Sequence, residues 1–126
     1  MGTASRRGYI LIIEDDPGVR EGLSEIIASE GYPVVTCSDG QMAMNRLTSE
    51  AELPRMIVLD FTMPHMDGWT FLEERKKDAR LRGIPVLGMS ASQRFVECRP
   101  PADVEELLKK PFLVEDMLRS IEKHWA

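Results

Sequence analysis

The sequence predicts an α/β protein with a doubly wound parallel sheet of five strands. Short apolar runs alternate with helical patterns along the chain, which is typical of repeated βα units. The apolar runs are about as long as a single buried strand. The 126 residues fit one domain, since domains most often contain about 100–150 residues. We expect this domain to cover residues 9–126, after an N-terminal tail at residues 1–8.

The first βα unit begins with YILII, Tyr9 to Ile13, which we interpret as a buried strand. Asp16 and Pro17 have the residue types of a helix N-cap and first helical position. The helix is expected to end at Gly31. Its apolar residues fall on one face: Val19, Leu23, Ile26 and Ile27.

The next two strands are predicted at PVVTC, Pro33 to Cys37, and at MIVLD, Met56 to Asp60. Between them, Ser38 or Asp39 can cap a second helix. That helix turns three apolar side chains inward: Ala43, Met44 and Leu47. A third helix is expected to begin near Asp67 or Gly68.

The C-terminal third of the chain starts with a fourth strand at PVLGMS, Pro85 to Ser90. A short helix over Gln93 to Cys98 has to stop at Pro100 and Pro101. The sequence LLK then predicts a short fifth strand that ends at Lys109 and Lys110. The last helix has an apolar stripe on its inner side, with His124 expected to interact with the helix C-terminus. The stripe consists of Val114, Leu118, Ile121 and Trp125.

Composition and charge exclude several functions. The net charge is −5, and no run of Lys or Arg is long enough to follow a nucleic-acid backbone, so direct nucleic-acid binding is not expected. No apolar run approaches the roughly 20 residues that a transmembrane helix needs. No signal peptide is recognisable, and the cytoplasm is the expected location.

Charged and polar residues end four of the predicted strands. The carboxyl ends of parallel strands form the binding edge of an open α/β sheet, so these groups are expected to lie together. They are Glu14, Asp15 and Asp16 after the first strand, Asp60 on the third, Ser90 on the fourth and Lys110 on the fifth. Clustered carboxylates repel one another unless a cation lies between them, and all-oxygen ligands suit Mg²⁺.

This set of groups is suited to phosphoryl transfer. A lysine and a hydroxyl at the same edge can hold phosphoryl oxygens, and Asp60 is placed to act as the nucleophile and form an aspartyl phosphate. The alternative is that the acidic residues are unrelated caps and surface charges. We consider this the weaker interpretation because Ser90 and Lys110 fall at the same edge.

Four segments, in this order and spacing, resemble the receiver domains of two-component response regulators: ILIIEDD, VLDFTMPHMDG, VLGMSA and KKPF. The resemblance covers roughly Tyr9 to Trp125. It implies a flavodoxin-like fold with strand order 2-1-3-4-5. It also implies a domain that catalyses its own phosphorylation and dephosphorylation rather than an enzyme that turns over a substrate.

The resemblance also implies a role for each site residue. Asp60 is the phosphoacceptor and a Mg²⁺ ligand, with Asp15 as a direct ligand, Glu14 as a ligand through water and the backbone carbonyl of Thr62 completing the set. Asp16 falls one place too late and remains the helix cap. Ser90 is the hydroxyl that turns toward the phosphoryl group, and Lys110 is the lysine that pairs with it.

The implied partners are a histidine kinase or histidine phosphotransfer domain and a downstream protein target. Two alternatives remain open for the chain: a single-domain regulator, and a receiver cut from a hybrid kinase or longer regulator. One departure concerns the switch: the family usually has an aromatic residue three positions before the lysine, and this chain has Leu107. Leu107 and the double proline at Pro100 and Pro101 both depart from the family pattern at the usual face for signal output.

Two other functions remain open. A degenerate receiver would act only as an interaction module, which Leu107 favours and the full set of site residues opposes. A phosphatase of the haloacid dehalogenase type also uses an aspartate at a strand end. That family usually has a second aspartate two positions later, where this chain has Thr62.

Overall fold

The computed structural model describes residues 8–49, 52–63, 66–91 and 104–125. A five-stranded sheet with all strands parallel lies at the centre, in the order β2-β1-β3-β4-β5. The predicted fold class and strand order are therefore confirmed. The strands are β1 (Ile10–Ile13), β2 (Val34–Cys37), β3 (Met56–Asp60), β4 (Val86–Ser90) and β5 (Glu106–Lys109).

Five helices surround the sheet in the described part of the chain: α1 (Pro17–Ser29), α2 (Gly40–Ser49), α3 (Gly68–Lys76), α4 (Ala79–Arg82) and α5 (Val114–His124). The Asp16 carboxylate caps α1 by accepting hydrogen bonds from the backbone N–H groups of Gly18 and Val19. Asp39 accepts from the Met42 N–H at the start of α2, and Asp67 caps α3. These carboxylates satisfy backbone donors that have no partner within the helix.

Alternate residues of the buried strands face two separate cores. Leu11 and Ile13 of β1 point toward α2, α3 and α4, whereas Ile10 and Ile12 point toward α1 and α5. Because both faces are covered, the inner strands are apolar without interruption, and this is why their positions are predictable from the sequence. The carboxyl ends of all five strands lie at one edge.

Helix α4 was not predicted. Asp78 caps it, and Arg75 of α3 is buried, donating from one guanidinium nitrogen to the carbonyl oxygens of Arg82 and Ile84 at 2.8 and 2.7 Å. A buried arginine that satisfies carbonyl groups cannot be distinguished from an exposed one by composition. The basic segment around it was therefore not expected to contain a helix that packs on the core.

The C-terminal elements differ from expectation in three details. Strand β5 begins one residue earlier than expected and ends at Lys109, so Lys110 lies just beyond it. The buried residues of α5 are Met117, Ser120 and Ile121, and only the last belongs to the predicted stripe. The side chain of His124, in the last turn of α5, lies 2.8 Å from Glu106 of β5, a contact that the sequence does not predict.

The helix predicted over Gln93 to Cys98, together with Pro100 and Pro101, lies outside the described residues, as does the tail up to residue 7. The domain limits of residues 9–126 therefore stay a prediction. Among the described helices, none has both the length and the apolar character that crossing a membrane requires.

Candidate phosphoacceptor and metal site

Three carboxylates meet at the edge formed by the carboxyl ends of the strands. Oxygens of Glu14, Asp15 and Asp60 all lie within 4.8 Å of one another. Glu14 and Asp60 are only 1% and 2% exposed, while Asp15 is half-buried. The arrangement follows from the register, because β1 and β3 are neighbours and end at the same level of the sheet. The sequence-predicted acidic cluster is brought together, apart from Asp16, which lies exposed as the helix cap.

Lys110 supplies a positive charge to this cluster. Its Nζ lies 2.9 Å from Glu14 Oε1 and 3.7 Å from Asp60 Oδ2. Burial alone lowers the pKa of the lysine, but the hydrogen bond to Glu14 and the charges of Asp60, Glu14 and Asp15 outweigh it, and the pKa is raised. Lys110 therefore stays an ammonium group within contact distance of two buried carboxylates.

Asp60 is placed in an environment that disfavours its charge. Burial, with a smaller contribution from the nearby Glu14, raises the pKa of this carboxyl group to about 7. The Thr62 backbone N–H, which donates to Asp60 Oδ1 at 3.1 Å, and the charge of Lys110 oppose this rise. A divalent cation beside Asp60 would favour the ionised form of its carboxyl group.

The turn between β1 and α1 is held by contacts that the sequence analysis missed. The Asp16 backbone N–H donates to Glu14 Oε2 at 3.1 Å. A guanidinium nitrogen of Arg20, one turn into α1, donates to the carbonyl oxygens of Glu14 and Asp15 at 3.0 and 3.3 Å. Arg20 lies in the first turn of the helix that follows the acidic segment. This position in the sequence could have indicated its contact with the turn.

Ser90 and Leu107 lie on the neighbouring strands. Ser90 is buried at the end of β4, and its carbonyl oxygen accepts a hydrogen bond from the Lys110 backbone N–H at 2.8 Å. Leu107 is half-buried on β5 and pairs with Gly88 of β4 in the sheet. Lys109, at the end of β5, is exposed to solvent.

The donor set fits a hard divalent cation. Three carboxylates within 4.8 Å offer only oxygen ligands, and Mg²⁺ binds through one or two carboxylates and several waters. The half-buried position of Asp15 leaves one side of the cluster open to solvent. Glu14 and Asp60 lie at its buried side, against Lys110. The residues present can therefore hold Mg²⁺ at an edge that a phosphoryl group can reach.

Comparison with known proteins agrees with this geometry. The family model described as response regulator receiver domain matches residues 10–122. The two-component response regulator ORR5 of Oryza sativa subsp. japonica is 32% identical over 129 residues, covering 94% of this chain and 95% of ORR5. Other curated relatives are longer: the chain spans 46% of one transcriptional regulator and 30% of another.

Solved structures have the same fold. The phosphorylated cyanobacterial phytochrome response regulator RcpA is 28% identical with a TM-score of 0.79, covering 95% of this chain and 94% of RcpA. The response regulator TrrA from Thermotoga maritima, in complex with Mg²⁺-BeF, is 23% identical with a TM-score of 0.81, covering 94% of this chain and 99% of TrrA.

Receiver domains of response regulators are signalling modules rather than turnover enzymes, and they bind Mg²⁺ at an acidic pocket. Response regulators receive phosphoryl groups from histidine kinases. The match to the family model over most of the chain, together with the relationship to ORR5 along nearly its whole length, decides the assignment. This chain belongs to the response regulator receiver domain family.

Proposed function

We propose that this chain is a cytoplasmic phosphoacceptor module that takes a phosphoryl group from a phosphohistidine onto Asp60. The donor is a histidine kinase or a histidine phosphotransfer domain, and the phosphorylated domain signals through contacts with a downstream protein. One observation carries the proposal. Three carboxylates lie within 4.8 Å of one another, and a lysine ammonium lies 2.9 Å from Glu14 and 3.7 Å from Asp60.

In the proposed reaction, an oxygen of the Asp60 carboxylate attacks the phosphorus atom. The new P–O bond forms as the P–N bond of the phosphohistidine breaks, and the electron pair leaves with the imidazole, which takes up a proton. Hydrolysis later returns the carboxylate and releases inorganic phosphate. The buried position of Asp60 fixes its carboxylate for attack, which lowers the entropic part of the barrier.

The remaining residues neutralise charge. We assign Asp15 and Asp60 as Mg²⁺ ligands with the backbone carbonyl of Thr62, and Glu14 as a ligand through water. When bound, Mg²⁺ neutralises charge that develops on the phosphoryl oxygens. Lys110 pairs with a phosphoryl oxygen, and the Ser90 hydroxyl donates a hydrogen bond to another, so Ser90 changes its contacts with the phosphorylation state.

Two relatives support the proposal. TrrA is described in complex with Mg²⁺-BeF and RcpA in its phosphorylated form, and both cover nearly all of this chain. Of the two, RcpA carries more weight because its sequence is 28% identical to this one. The partly exposed ammonium beside two buried carboxylates is the arrangement that such chemistry needs, since the reaction depends mainly on positioning and charge neutralisation.

Intact-mass spectrometry tests the proposal. The protein is incubated with Mg²⁺ and a small acyl-phosphate donor, and we expect a gain of one phosphoryl group that disappears without Mg²⁺ and in Asp60→Ala. Asp16→Ala is the matched control, because this carboxylate caps α1 at the same turn and is exposed. Asp16→Ala should still gain the phosphoryl group. An equal gain in Asp60→Ala would refute the assignment of the phosphoacceptor.

A second candidate function is an interaction module without phosphorylation. Leu107 favours it, because a leucine at this half-buried position has no polar end that can move between buried and exposed settings. The same mass experiment separates the candidates. A folded wild type that binds Mg²⁺ but gains no phosphoryl group would support the interaction module.

A further inference from the structure

The backbone of Phe61 is fixed at both ends. This residue directly follows Asp60, its N–H donates to the Met89 carbonyl oxygen at 2.9 Å, and its carbonyl oxygen accepts from the Gly68 N–H at 3.3 Å. The Asp60 carboxylate accepts from the N–H of Thr62, two residues on, so this hydrogen bond closes a small ring of atoms that contains Phe61. The backbone of Phe61 is therefore linked through this ring to the acceptor that the Asp60 carboxylate provides.

The ring of Phe61 fills a space left by two glycines. A Cβ atom at Gly68 would lie 2.5 Å from Phe61 Cδ1, and one at Gly88 would lie 2.6 Å from Phe61 Cε2 and 2.9 Å from Leu107 Cδ1. Such distances are far below van der Waals contact, so only glycine fits at either position with the ring in this place. The ring is 3% exposed and packed between α3, β4 and β5.

On its outer side the ring meets Trp69. The two rings are arranged edge to face, with centroids 5.5 Å apart and an interplanar angle of 66°. Trp69 lies in the first turn of α3 and is 45% exposed, whereas Phe61 is buried. The pair thus connects the residue next to Asp60 with the protein surface through an aromatic contact.

We propose that Phe61 is a positioning residue that couples the state of the Asp60 carboxylate to Trp69, so that the first turn of α3 changes when the site is occupied. For phosphorylation as the trigger, this inference rests on the proposed function. Leu107 of β5 borders the same space but is not aromatic. The aromatic side chain that responds to the site is therefore Phe61, between β3 and α3, rather than a residue of β5.

The coupling follows from the hydrogen bond to Thr62. A phosphoryl group or a changed carboxylate at Asp60 alters the acceptor that Oδ1 offers to the Thr62 N–H, and the peptide units on either side of Phe61 adjust. The ring cannot absorb the movement on its inner side, where the backbones of Gly68 and Gly88 lie close. The movement is therefore passed to Trp69, which meets the outer side of the ring.

Tryptophan fluorescence tests the coupling. In a Trp125→Phe background, Trp69 is the remaining tryptophan. Asp60→Asn changes the acceptor at residue 60 without requiring phosphorylation, and we expect it to shift the emission maximum and the acrylamide quenching of Trp69. Phe61→Leu should remove most of this shift. Phe61→Met serves the same purpose if the leucine variant does not fold.

Phe71→Leu is the matched control, because Phe71 is fully buried on α3 in the same core and the substitution removes the same atoms. The Phe71→Leu variant should keep the shift in Trp69 emission that Asp60→Asn causes. The coupling would be overturned if Asp60→Asn shifted the Trp69 emission equally in proteins with Phe, Leu or Met at position 61. It would also be overturned if Asp60→Asn caused no shift in the protein that keeps Phe61. Circular dichroism establishes that each variant is folded.

Phosphorylation provides a second comparison on the same samples. With acyl phosphate and Mg²⁺, the change in Trp69 emission should follow the phosphorylated fraction measured by mass, and Phe61→Leu should gain the phosphoryl group without the emission change. A phosphoryl gain with no change in Trp69 emission would contradict the coupling. A lack of phosphoryl gain would instead refute the proposed function, and the Asp60→Asn comparison would still decide the coupling.

Discussion

Lys110 Nζ lies closer to Glu14 Oε1, at 2.9 Å, than to Asp60 Oδ2, at 3.7 Å. Glu14 is 1% exposed, so in this arrangement the lysine is first the partner of a buried glutamate and second a neighbour of the phosphoacceptor. A buried carboxylate is costly without a cation or hydrogen-bond donors. Lys110 therefore contributes to the stability of the fold as well as to the proposed chemistry.

Lys110→Met should lower the free energy of unfolding by roughly 1.5–3 kcal/mol, because Glu14 loses a charged hydrogen-bond partner. Glu14→Gln in the same chain should recover much of the loss, since a neutral amide does not need the ammonium. Urea unfolding of the single and double variants measures the coupling. Lys109→Met, at the exposed neighbouring position, is the control. A Lys110→Met protein as stable as the control would contradict this role.

Millimolar Mg²⁺ should raise the melting temperature of the wild type by relieving repulsion among the three carboxylates. Binding only to the folded state adds about 2.7 kcal/mol when Mg²⁺ is at 100 times its Kd. Asp15→Asn should lose most of the rise. Asp16→Asn should keep it, since Asp16 is an exposed helix cap. The measurement is a thermal melt at constant ionic strength, and an equal rise in Asp15→Asn would count against the metal site.

Glu106 should make stability depend on pH. Burial raises the pKa of this carboxyl group, but hydrogen bonds from His124 and Ser120 of α5 outweigh it and hold the pKa below its ordinary value of 4.5. A lowered folded-state pKa stabilises the protein above the unfolded-state value, and this stabilisation disappears as pH falls through the folded-state value. The stability gap between wild type and Glu106→Gln should therefore narrow below pH 4.5.

At neutral pH, the free energy of unfolding of wild type should exceed that of Glu106→Gln by about 1 kcal/mol. This is a low value for a charged hydrogen bond, because Glu106 is partly exposed to solvent. Urea unfolding at several pH values gives both quantities. Glu105→Gln is the control, because Glu105 is the exposed neighbour. A gap for Glu106→Gln that stays constant from neutral to acid pH would rule out the ionised carboxylate as its source.

Gly88→Ala should destabilise the fold by roughly 1–3 kcal/mol, because the added methyl group would meet the Phe61 ring and Leu107 in a packed core. Gly22→Ala provides the opposite case. Gly22 lies within α1 with no atom near the added methyl group, and alanine there should stabilise the helix by about 0.5–1 kcal/mol. Chemical unfolding compares the two, and a neutral Gly88→Ala would show that the Phe61 ring is not confined.

The sequence predicts the parts of the fold that local patterns determine. Strand β3 is found at its predicted limits because MIVLD is buried on both faces. Helix α1 begins where Asp16 and Pro17 indicate, since capping is a local interaction. The packing of α4 was missed because Arg75 is polar in composition but buried in the fold, where its partners lie seven and nine residues away.

The candidate site also contains some features that the sequence predicts and others that depend on the folded structure. The grouping of Glu14, Asp15 and Asp60 follows from the strand order and the common edge, and the sequence predicts it. The pairing of Lys110 with Glu14 does not follow, because the residues are 96 positions apart and the distance depends on side-chain geometry. The confinement of Phe61 by Gly68 and Gly88 likewise requires coordinates, since a glycine alone does not indicate which side chain fills its space.

Locating the phosphoryl group on the chain tests Asp60 as the phosphoacceptor most directly. Borohydride reduces an aspartyl phosphate to homoserine, so treatment of the phosphorylated protein followed by peptide mass spectrometry identifies the modified residue. We expect homoserine at position 60, dependent on Mg²⁺. Homoserine at Asp15 or another carboxylate, or a phosphoryl group that resists borohydride, would contradict Asp60 as the phosphoacceptor.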